Sequence, residues 1–226
     1  MTRFKLYTYF RSSASYRARI ALNLKGITYE QVGIHLVKDG GQQLLPAYRA
    51  VNPDGVVPAL VDHEAGDAGL ITQSLALIEY LDETFPTPPL LPAKAIDRAY
   101  VRSIALQIAC DIHPVNNLRV LKYLKQQFDV TDAQKDAWYA HWIQSGFASL
   151  EARLATDPRV GSCVFGDTPT LADLCLVPQV WNARRFKIAL DAYPTLVRIA
   201  DHAASLPAFA AAEPARQPDA DPPVPA

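Results

Sequence analysis

Residues 86–92 read Pro-Thr-Pro-Pro-Leu-Leu-Pro. Proline lacks the N–H that a ladder needs and clashes with a preceding helical turn, so neither a helix nor a central strand runs through this stretch. The break divides the chain. Upstream the hydrophobic pattern alternates between strand and helix; downstream it is helical throughout. The chain has 226 residues, half of them apolar, enough for one large domain or two small ones. The break favours two, 1–86 and 93–212. Beyond them, Glu213 to Ala226 holds five prolines and no aromatic residue, a composition that predicts a disordered Pro/Ala-rich tail, 213–226.

In the first part, Phe4 to Tyr9 reads as a strand, Ala18 to Lys25 as a helix stopped by Gly26, and Thr28 to Ile34 as a second strand. A loop over Val37–Gln43 and a short helix over Leu44–Ala50 lead to the turn Asn52-Pro53-Asp54-Gly55. Val57–Val61 and Leu70–Thr72 supply two more strands around a turn bracketed by Gly66 and Gly69, and Ser74–Phe85 a helix with Leu77, Ile78 and Leu81 inward. The order β-α-β-α-β-β-α predicts an α/β domain with a mixed four-stranded sheet. After the break, stripes such as Val101, Ile104, Ala105 and Ile108, or Leu118, Leu121, Leu124 and Phe128, predict an all-α domain. Thr170-Leu171-Ala172-Asp173 resembles a capping box with Asp in place of Glu.

The net charge of −1 argues against nucleic acid as the main partner. No run is long enough to span a membrane, and no signal peptide opens the chain. Three cysteines, Cys110, Cys163 and Cys175, make no disulfide framework, so a reducing cytoplasm is expected. Cys110 and His113 have metal-like spacing, but a zinc site needs four ligands and no second pair is near, so no metal is expected. His35, His63, His141 and His202 are isolated and read as surface or packing residues.

Five places carry polar or charged groups that bear on a ligand. Arg11-Ser12-Ser13-Ala14-Ser15 lies where the first strand gives way to the first helix, so its hydroxyls either only cap that helix or serve an anion or thiolate there. Val57-Pro58 stands at the mouth of a strand: with a trans proline it is an ordinary edge, with a cis proline it leaves a backbone amide for an added peptide strand. Gln73-Ser74 opens a helix, where amides and a hydroxyl suit a carboxylate as well as a cap. His113-Pro114-Val115-Asn116-Asn117-Leu118-Arg119 groups polar residues round a proline in an apolar region, either lining a cleft or forming a polar helix junction. Arg184-Arg185 ends a helix, where the dipole favours cations.

Taken together, the hydroxyl-rich turn Ser12–Leu22, Asn52–Leu60 with its Val57-Pro58, Gln73-Ser74, and Phe165–Asp173 resemble the zeta-class glutathione transferases, over residues 1 to about 212. The resemblance implies the glutathione transferase fold, a thioredoxin-like first domain and a homodimer. It implies glutathione as cofactor, bound by Ser12, Ser13, Ala14, Val57, Pro58, Gln73, Ser74, His113 and Asn117, with the Ser12 hydroxyl donating to the sulfur. The implied activity is glutathione-dependent cis–trans isomerisation of maleylacetoacetate or maleylpyruvate, as in tyrosine and aromatic-compound breakdown, with conjugation or dehalogenation of small electrophiles as the alternative. The substrate is then a small dicarboxylate, gripped by Arg11, Arg119 and Arg185, with Ser12, Arg11 and Arg185 as the catalytic set. Ala14 stands where the class usually has cysteine, which removes a second thiol and leaves the serine in place. Asp54-Gly55 replaces a Gln-containing turn of some relatives, and the resemblance leaves open whether this alters one side-chain contact to glutathione.

Overall fold

The structure, a computed structural model, describes residues 2–220. They divide into two compact units, one running to Pro89 and taken up again from Leu206, the other Leu90–Ser205.

The first unit is built on a sheet in the order β2-β1-β3-β4, from β1 (Phe4–Thr8), β2 (Tyr29–Gly33), β3 (Ala59–Asp62) and β4 (Leu70–Thr72). β1 runs parallel to β2, Phe4 opposite Tyr29, and antiparallel to β3, Tyr7 opposite Ala59; β3 and β4 are antiparallel. The sheet is therefore mixed. The parallel pair needs a crossover, and α1 (Ser13–Leu24) provides it. A one-turn α2 (Pro46–Arg49) precedes β3, and α3 (Ser74–Thr84) follows β4. The alternating burial of β1 puts Phe4, Leu6 and Thr8 inward, and α1 packs against α3.

Helix α1 begins five residues before the expected Ala18. Ser12 adopts an extended conformation and its hydroxyl oxygen accepts the N–H of Ser15, so the small residues that follow are already helical. Nor is this an amphipathic surface helix: every residue from Ser15 to Leu22 is buried, Arg17 and Arg19 included. Arg19 reaches the carbonyl oxygens of Ala212 (3.1 Å), Tyr9 (3.3 Å) and Phe10 (3.0 Å) and the hydroxyl of Thr8 (3.0 Å). Burial lowers its pKa to about 10, which leaves it charged at neutral pH.

That guanidinium corrects the expected domain ends. The chain from Leu206 packs on α1 through α9 (Pro207–Ala212), with the Asn23 side chain donating to the Ala208 carbonyl. The expected disorder from Glu213 is also overturned as far as Ala220. Pro214–Arg216 forms a 3-10 turn, Gln217 donates to the carbonyls of Ala211 and Glu213, and Asp219 accepts the N–H of Phe10 at 2.9 Å. Composition misleads here because the order comes from partners elsewhere in the chain. The rest of that tail lies outside the described residues.

The second unit is helical, as expected: α4 (Ala95–Leu106), α5 (Leu118–Phe128), α6 (Asp132–Leu154), α7 (Leu171–Arg185) and α8 (Pro194–Ser205). Helix α7 is its axis, buried at nearly every position from Leu171 to Ala183 and packed against α4 and α8. Asp173 completes the capping box at its start, accepting from the Thr170 N–H and hydroxyl and from the Val164 N–H. Burial pushes the Asp173 carboxyl up, and these three donors pull the other way. Helix α4 continues into a π-helical stretch, Gln107–Ile112, closed by the His113 N–H on the Ile108 carbonyl. Gly146 of α6 admits this stretch, since a Cβ there would collide with Ile112. Among the described residues no helix is long and apolar enough to cross a membrane.

Replacing Arg19 by Met removes the donor from the carbonyl oxygens of Phe10 and Ala212, each worth about 1–3 kcal/mol, while the Tyr9 carbonyl keeps the Ser12 N–H. Arg19→Met should destabilise the protein by about 3 kcal/mol and lower Tm by roughly 5–10 °C. Thermal unfolding followed by circular dichroism checks this, and hydrogen exchange should show residues 206–220 losing protection first.

Candidate active site

In the first unit, the expected residues gather on α1, the entrance to β3 and the start of α3. The loop between β1 and α1 is held by its backbone: the Tyr9 N–H donates to Ser15 Oγ, the Ser12 N–H to the Tyr9 carbonyl, and the Phe10 N–H to Asp219. On this support Arg11 donates from Nε and Nη2 to the Tyr9 hydroxyl (3.0 and 2.7 Å) and lies over the Phe10 ring. Ser12 is half-buried at the helix mouth, with Ser13 buried and Ala14 half-buried behind it. Its oxygen takes the Ser15 N–H at 3.2 Å, which uses one lone pair and leaves the hydroxyl hydrogen to donate outward.

Val57–Pro58 is cis, the alternative the resemblance implied. The turn before it is pinned, because the Tyr48 hydroxyl and Asn52 Nδ2 both donate to the Val56 carbonyl (2.7 and 2.9 Å), and Asn52 Oδ1 caps the turn at Asp54. Gly55, at φ +62°, takes the left-handed conformation the turn needs. Gln73 is exposed with φ +67°, unusual for a residue with a Cβ, and Ser74 behind it is buried. Arg17 Nη1 lies 3.4 Å from Ser74 Oγ, so α1 reaches from one helix mouth to the other.

In the second unit, Asn116 and Arg185 are joined through Tyr139 and Phe186, which the sequence reading did not single out. Asn116 Nδ2 donates to the Tyr139 carbonyl (3.1 Å), and the Trp138 indole donates to the Val115 carbonyl, so the 3-10 turn Pro114–Asn116 is fastened to α6. The Tyr139 ring stacks on Phe186 at 3.6 Å, and Arg185 lies over the other partner of that stack at 4.4 Å from the Phe186 centroid. Arg185 also donates from Nε to Asn182 Oδ1. Burial pushes the Tyr139 phenol up to about 12 while Arg185 draws it down. His113 ends the π-helical stretch, Asn117 caps α5 by accepting the Arg119 N–H, and Arg119 stands exposed in the first turn. The Asn116–Tyr139–Phe186 chain links sequence-distant residues through packing, and no local pattern signals it.

The helix starts differ in charge. α4, α6 and α7 carry Asp97, Asp132 and Asp173 in their first turns. α8 has no acid of its own, but the Glu151 carboxylate accepts its N–H groups at Thr195 and Leu196. α1, α3 and α5 have no acid in the first turn, and α1 and α5 are capped by the neutral side chains of Ser12 and Asn117. The short α2 and α9 also lack an acid in the first turn; among the longer helices, α1, α3 and α5 are the acid-free starts that carry expected ligand residues. No acidic side chain of their first turns offsets the partial positive charge there.

Residues 6–89 match the family model described as glutathione S-transferase, N-terminal domain. The chain is 51% identical over 216 residues to a maleylpyruvate isomerase of a Ralstonia species, covering 95% of this chain and 99% of that protein. It is similar, at TM-score 0.91 and 48% identity over 96% of this chain and all of the other, to a maleyl pyruvate isomerase described as a bacterial glutathione S-transferase in the zeta class. A maleylacetoacetate isomerase of Methylobacterium extorquens AM1, solved with malonate and glutathione bound, matches at TM-score 0.91 and 41% identity over 96% of this chain and all of that one. The chain belongs to the zeta class of glutathione transferases. Within this zeta-class frame, the thioredoxin-like sheet and the helical second unit are the expected fold.

Ser12→Ala removes the acceptor that starts α1, and should cost about 1 kcal/mol of stability. Ser12→Asn, which keeps an acceptor at the cap, should recover most of it. Urea unfolding of the three proteins side by side measures both.

Proposed function

We propose that the protein is a glutathione-dependent cis–trans isomerase of maleylacetoacetate or maleylpyruvate. The observation that carries this reading is the set of acid-free helix starts at Ser12, Gln73-Ser74 and Asn117, on a chain whose zeta-class relatives are isomerases of these two diacids.

Bound glutathione supplies the reacting sulfur, whose reversible addition gives the conjugated double bond the single-bond character it needs to rotate. Ser12 donates to that sulfur in its anionic form, and the α1 start favours the same charge, so both lower the thiol pKa. Ser13 and Ala14 extend the helix mouth around it. The Val57 backbone before Pro58 pairs with the cysteinyl part, and Gln73 and Ser74 take the γ-glutamyl carboxylate. His113 and Asn117 are further glutathione-binding residues. Arg11, Arg119 and Arg185 bind the carboxylates of the diacid, and Arg11 and Arg185 face the negative charge that develops as the alkene accepts electrons. The aromatic rings under Arg11 and Arg185 hold the guanidinium planes at fixed positions, which favours an oriented fork over a mobile charge.

The protein acts in the cytoplasm as a homodimer, in the breakdown of tyrosine or related aromatic compounds. Its cysteines, Cys163 and Cys175 buried and Cys110 exposed, form no disulfide among the described residues and suit a reducing compartment.

Both diacids should isomerise only when glutathione is added, in catalytic amounts and without its consumption. Arg185→Met should lower kcat/KM on the order of a hundredfold, the usual loss when a donor to developing negative charge is removed. An ultraviolet assay of isomerisation, with free thiol titrated at the end, reads both. Stoichiometric loss of thiol would move the assignment to a conjugating transferase, and turnover without glutathione would end it.

A further inference from the structure

Asp219 stands 209 residues from Phe10 in sequence, yet its Oδ2 accepts the Phe10 N–H at 2.9 Å. That N–H is the last backbone donor before Arg11 and Ser12. It belongs to the same peptide unit as the Tyr9 carbonyl, and the Tyr9 carbonyl accepts the Ser12 N–H at 3.0 Å. A peptide unit is planar, so its N–H and C=O cannot turn independently. Asp219 and Ser12 thus hold opposite edges of one rigid plate.

Asp219 is itself held. Gln31 of β2 donates from Nε2 to its other oxygen, Oδ1, at 3.3 Å. The Ala220 N–H closes a turn on the Gln217 carbonyl (3.0 Å), and the Gln217 side chain donates back to the Ala211 and Glu213 carbonyls. Ala220 packs on the cluster formed by Tyr9, Phe10, Tyr48 and Val57. The same short segment therefore leans on the β1–α1 loop and on the residue before the cis proline.

The charge of Asp219 does not explain its place. A carboxylate behind a loop that receives anions opposes them. Burial lowers the Arg19 pKa while Tyr29 and Asp219 act to raise it, so the carboxylate is balanced by that guanidinium. What Asp219 gives the loop is a hydrogen-bond acceptor at a fixed position.

We propose that Asp219 is a positioning residue for the Ser12 hydroxyl. By fixing the Tyr9–Phe10 peptide plane it fixes the Ser12 backbone, and so aims the hydroxyl at the glutathione sulfur. Asp219 does not touch the ligand. The proposal rests on the glutathione-dependent reading above, and it makes a residue of the C-terminal segment part of the machinery that lowers the thiol pKa.

The test uses the full-length protein and two variants, Asp219→Ala and Asp219→Asn. Both remove the charge, but only the asparagine keeps an acceptor, so the difference between them reads the acceptor alone. With glutathione bound, the ultraviolet absorbance of the thiolate gives its fraction at each pH. Asp219→Ala should hold about tenfold less thiolate than Asp219→Asn at the same pH below the thiol pKa, and its kcat should be lower by a similar factor. Amide hydrogen exchange supplies a second readout, independent of turnover. Phe10 and Ser12 should both exchange faster in Asp219→Ala than in Asp219→Asn, while Leu22 at the far end of α1 stays protected in both. Equal thiolate fractions in the two variants, or faster exchange at Phe10 with none at Ser12, would overturn the proposal. Loss of protection through the whole of α1 would mean a structural role alone and would overturn it too. A wild-type protein that binds no glutathione would instead overturn the cofactor assignment beneath it.

Discussion

The first unit depends on one buried guanidinium. Arg19 gathers the carbonyls of Tyr9, Phe10 and Ala212 and the hydroxyl of Thr8, so the end of β1, the loop beyond it and the C-terminal segment share a single donor group. A lone charge in such a place would be expensive, but hydrogen bonds from a charged donor to several carbonyls offset much of that cost. The consequence for the site is indirect. With Asp219 on the Phe10 N–H and Ser15 on the Tyr9 N–H, the backbone on which Arg11 and Ser12 ride is fixed at both residues before them. Side chains on a loop with satisfied backbone groups hold their geometry without a neighbouring strand.

Arg17 and Arg19 show how one helix can serve two ends. Residues two apart on an α-helix point about 200° from each other, which puts them on nearly opposite faces. Arg19 accordingly turns to the C-terminal segment and Arg17 to the start of α3. A helix with both faces occupied has no solvent side, which is why Ser15 to Leu22 are all buried despite carrying two arginines. Arg19 is satisfied by carbonyls of the fold, whereas Arg17 Nε and Nη2 have no hydrogen-bond partner among the described residues.

The elements of the sheet and the division near Pro89 are legible in the sequence, because strand patterns, turn residues and prolines act locally. The capping box at Thr170 and Asp173 is legible for the same reason: four consecutive residues contain the whole interaction. What is not legible is order conferred at a distance. The chain from Glu213 has the composition of a tail, yet Asp219 and Gln217 find partners that only the folded protein brings near. Tyr139 is likewise an unremarkable helical tyrosine until Phe186 stacks on it. The start of α1 is misplaced because Ser13-Ala14-Ser15 has weak helical pattern, and the Ser12 cap, not periodicity, sets where the helix begins.

A neutral group at Ser12 is consistent with a sulfur that must leave as well as attack. A thiolate held by a guanidinium would form a stronger, charge-assisted bond and become a poorer nucleophile as its pKa falls. On the proposed function, a hydroxyl and a helix start with a neutral cap lower the thiol pKa by a smaller amount and leave the sulfur reactive. Acid at the α1 start would cancel the dipole, and none is present there. The full charges of α1 and the loop before it are engaged elsewhere: Arg17 donates to Ser74, and Arg11 donates to the Tyr9 phenol and lies over the Phe10 ring. On the proposed function the division of labour follows from the chemistry, since the sulfur changes its charge twice in a turnover and a neutral donor suits both states.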